Sequence, residues 1–363
     1  MDLKTASKWM EEAFLLALQA RGTTLPNPSV GCLVLDKSGK KVAQAATSPE
    51  GRPHAERKAL EQAGAKARGG TLVVTLEPCV AFPGKKSPPC AAAAILSGVE
   101  TVIVGTVDPN PKVAGKGLHA LRKSGMTVIE CPLDGRLAGF YAGFGHFLST
   151  GLPRVTVKIA VSRDGNMASA PLTRTAITGE ESRRFVHQLR AQSDAILIGG
   201  RTALADDPEL TVRDAPGRSP RRLVLWPEGG LPPHLKIWST AAPTCALGTG
   251  VRPGSLPRHV AWIPLGADPS GKVSGKALLE WCGSQGMHEL LIEPGPRLLD
   301  SILKQGLWNG LWVLRSDRDL AGGIPSDPNG LLPQVPPVSR RVLGMDSASF
   351  WTSVGFRPIP PLS

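Results

Sequence analysis

Apolar positions recur at helical spacing from Trp9 to Arg21. A hairpin pattern follows, Val30-Gly-Cys-Leu-Val-Leu and Lys41-Val-Ala-Gln-Ala around the turn Asp36-Lys-Ser-Gly. His54 to Ala63 predicts a helix stopped by Gly64, Thr71-Leu-Val-Val-Thr-Leu a buried strand, Cys90 to Leu96 a helix, and Thr101-Val-Ile-Val-Gly another strand. A helix from Gly117 to Ser124 and a strand Thr127-Val-Ile-Glu close the series, predicting a mixed sheet with helices on both faces. Phe147-Leu-Ser-Thr-Gly-Leu-Pro-Arg reads as a linker. The pattern then restarts with strand Val155–Val161, helix Glu180–Arg190, strands Ala195–Ile198, Arg222–Trp226 and Glu289–Glu293, and helix Arg297–Gln305. Pro and Gly punctuate the rest of 214–275 and the chain beyond 320 too heavily for further elements to be read. The fold class is therefore α/β twice over, in units 1–147 and 153–363.

Composition narrows the classes. A chain of 363 residues suits two domains, and 41% apolar residues give each a core, which excludes a disordered chain. Lys and Arg total 42 against 30 Asp and Glu, a net charge of +12 divided equally between residues 1–150 and the remainder. So even a spread suits anionic small molecules such as phosphate esters at least as well as nucleic acid. With 5% aromatic residues and one Tyr, a stacking platform for single strands is disfavoured, and no nucleic-acid partner is expected. Six cysteines are too few for a disulfide scaffold. The first 22 residues carry acids within their apolar stretch and read as an amphipathic helix, not a signal peptide. No apolar run approaches the roughly 18–20 residues that cross a bilayer. A reducing, cytoplasmic setting without membrane contact is the expectation, and there spaced cysteines point to metal or catalysis.

Pro53-His54-Ala55-Glu56 opens a helix, and Pro78-Cys79 closes a buried strand and leads through a loop to Cys90. A catalytic zinc site takes three protein ligands and leaves a fourth position for water. One imidazole and two thiolates, His54, Cys79 and Cys90, fill that role, and the remaining field lowers the pKa of the water toward about 7. Glu56, in the same first turn as His54, can sit beside the water without ligating and shuttle its proton to a leaving amine. The order His-x-Glu…Pro-Cys…Cys is that of zinc nucleobase deaminases, here with ten residues between the cysteines instead of two. Cys32, Cys131, Cys245 and Cys282 have no partner spacing and read as structural.

Leu25-Pro-Asn-Pro-Ser-Val-Gly31, Pro53-His-Ala-Glu56, Thr75-Leu-Glu-Pro-Cys79, Pro88-Pro-Cys90 and Asp108-Pro-Asn-Pro-Lys-Val-Ala-Gly-Lys-Gly117 resemble the bifunctional deaminase/reductase family of riboflavin biosynthesis. The resemblance implies a cytidine-deaminase-like three-layer domain with His54, Cys79 and Cys90 on zinc and Glu56 as acid/base. It also implies that Asn27 contacts the pyrimidine and that Lys86 (or Lys85) reaches the substrate from the cysteine loop. Two departures stand out: the loop Val80-Ala-Phe-Pro-Gly84 replaces a Ser-His-His-Gly run, and Thr47 stands where the family usually has a histidine.

Lys158-Ile-Ala-Val-Ser-Arg-Asp-Gly165, Leu189-Arg-Ala-Gln-Ser-Asp-Ala-Ile-Leu197, Arg201-Thr-Ala-Leu-Ala-Asp-Asp-Pro208, Leu210-Thr-Val-Arg213 and Glu293-Pro-Gly-Pro296 continue the resemblance into that family's reductase domain. The implied fold is like that of dihydrofolate reductase, with NADPH across the carboxyl ends of the strands. A hydride donor must be bound because no side chain supplies one, and a guanidinium fork matches a sugar phosphate. By resemblance Arg190 and Arg213 take the phosphate and Leu210 and Glu293 lie against the substrate. Ala160, Thr202, Asp206 and Gly295 contact the cofactor. Arg174 and Ala176 replace a substrate-binding Ser and a nicotinamide-facing Trp, Arg163 replaces an apolar residue, Trp226-Pro227 stands for an Asp-Ser pair that usually meets NADPH, and Pro294 interrupts a Glu-Gly-Gly run. The implied chemistry is zinc-dependent deamination of a phosphoribosyl pyrimidine followed by NADPH-dependent reduction of its ribosyl group, in a chain expected to form homo-oligomers. Two rival readings are a monofunctional deaminase with a degenerate reductase domain and a zinc deaminase acting on another nucleotide or on nucleic acid.

Overall fold

A computed structural model describes residues 2–84, 87–327 and 329–353. The first helix, α1 (Leu3–Ala20), begins earlier than its apolar spacing predicts because Asp2 caps it, its carboxylate accepting the Thr5 amide at 2.7 Å. Its inner face buries Met10, Phe14 and Leu18, each contributing about 1.5–3 kcal/mol relative to exposure. The helix lies so close to β1 (Gly31–Leu35) that a Cβ at Gly31 would fall 1.8 Å from the Ala13 carbonyl oxygen. The predicted hairpin to β2 (Lys41–Ala46) forms, its turn tied by Asp36 Oδ1, which accepts the Ser38 and Lys40 amides. Next come α2 (Ala55–Ala63), β3 (Thr71–Val74), α3 (Cys90–Ser97), β4 (Thr101–Val104), α4 (Lys116–Lys123) and β5 (Thr127–Glu130). The sheet order is β2-β1-β3-β4-β5, antiparallel around β1 and parallel from β3 to β5, the mixed sheet the alternation predicts.

The expected linker at Phe147 is instead the last turn of a helix, α5 (Arg136–Thr150). Three internal glycines weaken its propensity, but burial decides: Phe140 packs edge-on against Phe14 at 5.2 Å, and Tyr141 is 2% exposed. The Tyr141 hydroxyl donates to the Ser29 carbonyl at 2.9 Å and meets Thr75 Oγ1 at 2.7 Å, so α5 is fastened to the sheet.

The chain divides into two compact units, the first built on residues 2–149 and the second on 150–215 and 219–353. In the second, β6 (Arg154–Val161), β7 (Asn166–Ala168), α6 (Glu180–Ala191), β8 (Ala195–Gly199), α7 (Gly200–Asp206) and β9 (Arg221–Leu225) come first. Then follow β10 (Thr244–Gly248), β11 (Ala261–Pro264), α8 (Gly275–Ser284), β12 (Glu289–Ile292), α9 (Pro296–Lys304), β13 (Gly310–Arg315), β14 (Ile324–Pro325), β15 (Ser339–Leu343) and β16 (Asp346–Thr352). The nine-stranded sheet has the order β11-β10-β9-β8-β12-β6-β13-β16-β15, parallel from β11 to β13, with β16 and β15 added antiparallel. From β6 the chain steps outward through β8 to β11, then returns to place β12 between β8 and β6. Such a reversal of strand order opens a crevice at the carboxyl ends of the strands. At the opposite, amino ends of β6 and β12, Arg154 and Glu289 are register partners and form an ion pair at 2.7 Å, with 1% and 2% exposure.

Candidate active site

The two residues on either side of α2's start set up the first site. His54 is the N-cap residue, in extended conformation, and Glu56 lies in the first helical turn. Cys79 follows the buried end of β3, and Cys90 opens α3, where its amide donates to Cys79 Sγ at 3.4 Å. The three side chains converge as the sequence predicts: His54 Nδ1 is 3.6 Å from Cys79 Sγ and 3.3 Å from Cys90 Sγ, and all three ligand atoms lie within 4.8 Å of one another. Among the described residues this is the one such cluster. Hydrogen bonding by Cys90 and His54 draws the Cys79 thiol down to about 3, the state a metal ligand needs. Burial pushes the Glu56 carboxyl up, and its Oε2 is buried without a hydrogen-bond partner. A nitrogen and two sulfurs at this separation, beside an unpartnered carboxylate oxygen, fit zinc with room for a water that the carboxylate would contact.

His54, Glu56 and Cys79 line a cavity of about 260 Å³ together with Asn27, Thr47, Arg52, Phe82, Asp108 and Asn110. Asn27 is therefore placed at the site, held by its Nδ2 donating to the Gly51 carbonyl at 2.8 Å. Thr47 is buried and engaged elsewhere, its hydroxyl accepting the Val30 amide at 3.1 Å. Phe82 fills part of the altered cysteine loop, with the Lys112 ammonium 5.7 Å from its ring centre. Lys85 and Lys86 lie outside the described residues.

Glu77 explains the long Asp108–Gly117 motif. Its buried carboxylate accepts four backbone amides, those of Asp108 (3.1 Å), Gly115 (2.9 Å), Gly117 (2.6 Å) and Leu118 (3.2 Å). A Cβ at Gly117 would lie 2.1 Å from the Pro78 carbonyl oxygen, so the motif's last glycine is required for the approach. Asp108, thus fixed, has its carboxyl raised to about 7, chiefly by burial. Neither Glu77 nor Asp108 was among the sequence-derived site residues, although both stand inside motifs that were.

The second site occupies the crevice in the nine-stranded sheet. Glu293 leaves β12 and meets Arg190 of α6 through two bonds, Nε–Oε1 at 2.8 Å and Nη2–Oε2 at 3.1 Å. Lys158 of β6 reaches the same carboxylate at 3.4 Å. Burial alone would raise Glu293, but the two cations more than offset it and hold the carboxyl down to about 2. Ala160 is on β6, Thr202 and Asp206 are on α7, and Gly295 faces Thr202, all at the carboxyl ends of neighbouring strands. A Cβ at Gly295 would come within 2.9 Å of Thr202 Oγ1. Asp206 is raised by burial, opposed by Arg174 and then Lys158, so Arg174 is part of the site's field. Glycines at both turns and a cationic centre fit a dinucleotide lying along the strand ends.

Three of the residues expected at the substrate have partners within the chain. The Arg190 fork is engaged by Glu293, and its Nη1 donates to the Thr211 carbonyl at 3.4 Å. Leu210 is 3% exposed in the hydrophobic core, so any contact with substrate falls to its backbone, which is held at φ 54°. Arg213 is exposed, and its guanidinium pairs with Glu209 at 2.8 Å and with the Thr211 hydroxyl. Lys158 was missed because a lysine in an alternating strand reads as its solvent face.

A His/Cys/Cys centre with a carboxylate beside it, followed by a parallel α/β crevice built for a dinucleotide, defines a two-domain enzyme that joins a zinc deaminase to a nicotinamide-dependent reductase. Residues 3–106 match the cytidine and deoxycytidylate deaminase zinc-binding region, and residues 153–315 match the RibD C-terminal domain. The riboflavin biosynthesis protein RibD of Aquifex aeolicus is 37% identical over 87% of this chain and 88% of its own length, and that of Escherichia coli 35% over 89% of each. Among solved structures, Acinetobacter baumannii RibD superposes with a TM-score of 0.70 at 31% identity, covering 97% of this chain and 99% of that one. A Thermotoga maritima diaminohydroxyphosphoribosylaminopyrimidine deaminase/5-amino-6-(5-phosphoribosylamino)uracil reductase gives a TM-score of 0.73 at 29% identity, covering 96% and 98%. The chain belongs to the RibD family, the bifunctional deaminase/reductases of riboflavin biosynthesis.

Proposed function

We propose that the first unit removes the exocyclic amine of 2,5-diamino-6-(5-phosphoribosylamino)pyrimidin-4-one and that the second reduces the phosphoribosyl group of the product to phosphoribityl. The observation that carries the first step is the unpartnered buried oxygen of Glu56 beside the His54, Cys79 and Cys90 cluster. Zinc, when bound by those three residues, supplies the Lewis acidity that brings a water near neutral pKa. Glu56 takes the proton of the attacking water on Oε2 and delivers it to the leaving amine, a role favoured by a carboxyl raised by burial. Asn27, fixed by Gly51, presents its side-chain oxygen to the pyrimidine, and Asp108 and Asn110 line the same cavity.

NADPH, when bound, supplies the hydride for the sugar's C1′. As the bond from C1′ to the ring oxygen breaks, that oxygen must gain a proton. Lys158, held beside Glu293 at the carboxyl end of β6, is placed to give it. Arg190 acts through Glu293 as its positioning partner, and Arg213, on the exposed loop beyond α7, is the candidate for the sugar phosphate. The six free cysteines support a reducing, cytoplasmic setting, and no described helix is long and apolar enough to cross a membrane.

The test is mass spectrometry of zinc-loaded protein with the diaminopyrimidine substrate, with and without NADPH. A gain of about one mass unit without cofactor and about two more with it is the expected result for amine hydrolysis and hydride transfer. The first gain alone would leave the second domain without its proposed chemistry. No gain in either tube would mean that the altered loop after Cys79 serves another substrate.

A further inference from the structure

A second cavity in the first unit, of about 280 Å³, shares Arg52, His54 and Ser87 with the first, so two chambers meet at the metal cluster. Their linings differ in charge. Glu56, Glu77 and Asp108 line the first. No carboxylate lines the second, where Arg52 and Arg57 stand with Ser87 and the metal ligands His54 and Cys90. Arg52 is exposed, and among the described residues its guanidinium has no hydrogen-bond or ion-pair partner. Arg57 gives its Nε to Glu61 at 2.8 Å, one helical turn on, which steadies the fork and leaves its terminal nitrogens. The backbone around Arg52 is tied on both sides. The Glu50 amide donates to the Thr23 carbonyl at 2.8 Å, and the Ser48 amide to the Pro53 carbonyl at 3.1 Å. Gly51, between them, accepts Asn27 Nδ2, and a Cβ there would fall 2.3 Å from that nitrogen. Asn27 and Arg52 are thereby held at a fixed spacing.

Resting on the reading of the first unit as a deaminase of a phosphoribosyl pyrimidine, we propose that Arg52 and Arg57 form its phosphate subsite in the second chamber. Three carboxyl groups oppose a phosphate in the first chamber, whereas two guanidinium forks match its oxygens in the second. Charge thus sorts the substrate, with the ring in the carboxyl-lined chamber beside Glu56 and the phosphate in the arginine-lined one. The covalent structure of the substrate suits this division. Its ribosylamino arm is attached next but one to the ring carbon that loses its amine, with a single ring nitrogen between them. The arm therefore starts close to the metal cluster, and its phosphate enters a chamber that two of the metal ligands border. Arg52 and Arg57 flank the run Pro53-His54-Ala55-Glu56, so one turn into α2 carries a metal ligand, the acid/base and both phosphate-binding groups.

The experiment measures kcat/KM for deamination by the full-length, zinc-loaded protein without NADPH, on the phosphoribosyl substrate and on the same compound dephosphorylated. Wild type, Arg52→Gln, Arg52→Lys and Arg57→Gln are compared. Wild type is expected to favour the phosphorylated compound by about a hundredfold, and each Gln variant to cut that ratio by about tenfold, the effect of losing one charged hydrogen bond. Arg52→Lys is expected to restore part of the ratio, as a point charge without the fork. The readout is a ratio within one preparation, so a general loss of activity cancels. Arg57→Gln, at an exposed helical position, decides the matter if Arg52→Gln does not fold. A ratio near one in wild type, or one unchanged in both Gln variants, overturns the subsite and leaves the deaminase reading standing. Turnover of neither compound by wild type overturns both.

Discussion

Replacing Glu77 by Gln changes one atom in a cage of four backbone amides, and its consequences can be worked out bond by bond. The carboxylate is 2% exposed and accepts from Asp108 and Gly115 on one oxygen and from Gly117 and Leu118 on the other. Gln keeps one acceptor and turns an NH2 toward the other two amides, whichever way it is flipped. Each amide left buried without an acceptor costs about 1–3 kcal/mol, so the substitution should remove about 4 kcal/mol from the first unit. Because a two-domain chain need not unfold in one step, the assay pairs urea unfolding with hydrogen exchange read on peptides covering 108–118. Exchange there should accelerate, peptides of the second unit should be unchanged, and the zinc content should hold. Deamination should fall through loss of Asp108 and Asn110 alignment. A loss under about 1 kcal/mol with unchanged exchange would refute the view that Glu77 holds this segment.

Three further outcomes follow from the sites. Cys90→Ser should empty the metal site on purification, read by elemental analysis, whereas full zinc occupancy would show that the ligand set is misassigned. Glu56→Gln should retain zinc and lose about 10²–10⁴ in deamination rate without affecting reduction of already deaminated substrate; retained turnover would remove Glu56 from the mechanism. Glu293, held down to about 2 from an ordinary 4.5, contributes stability that is complete above the unfolded value and is lost as pH falls through the folded one. Its side chain is 13% exposed, so the contribution is about 3 kcal/mol. Acid unfolding of wild type between pH 5 and 2 should therefore be steeper than that of Glu293→Gln, and parallel curves would contradict the charge assignment.

Much of this architecture could be read from residue order, for reasons that differ between the halves. In the first unit, apart from the start of α1, which Asp2 caps six residues before the apolar spacing begins, periodic apolar runs and the turn chemistry of Asp36 and Gly64 coincide with the real boundaries of α1 to β5 to within about two residues. The metal cluster was legible from the order His-x-Glu…Pro-Cys…Cys, although the fold has to bring His54 and Cys79 together from 25 positions apart. What escaped was set by burial rather than by pattern. The helix α5 carries Gly139, Gly143 and Gly145, and only its packing of Phe140 and Tyr141 makes it stable. The strand β13 is a short apolar run without alternation and β16 lies in the tail punctuated by Pro and Gly, yet Trp312 and Phe350 pair across them in the core. Arg190 looks the same in sequence whether it binds phosphate or a carboxylate, and the choice rests on Glu293, 103 positions away.

The buried pair of Arg154 and Glu289 bears on alignment more than on strength. A buried ion pair adds little net stability, but separating its members leaves a bare charge in the interior at a cost of about 3–5 kcal/mol. A slip of one residue between β6 and β12 would do that, and would turn every side chain of the moved strand to the opposite face. Four positions further along the same two strands, in the same direction, stand Lys158 and Glu293. A slip would shift them by about 3.3 Å, enough to part a contact of 3.4 Å. The charges at the closed end of the sheet thus act as a gauge for the spacing of the reactive groups at its open end, and exchanging them for an apolar pair of equal volume would leave a folded domain free to set that spacing wrongly.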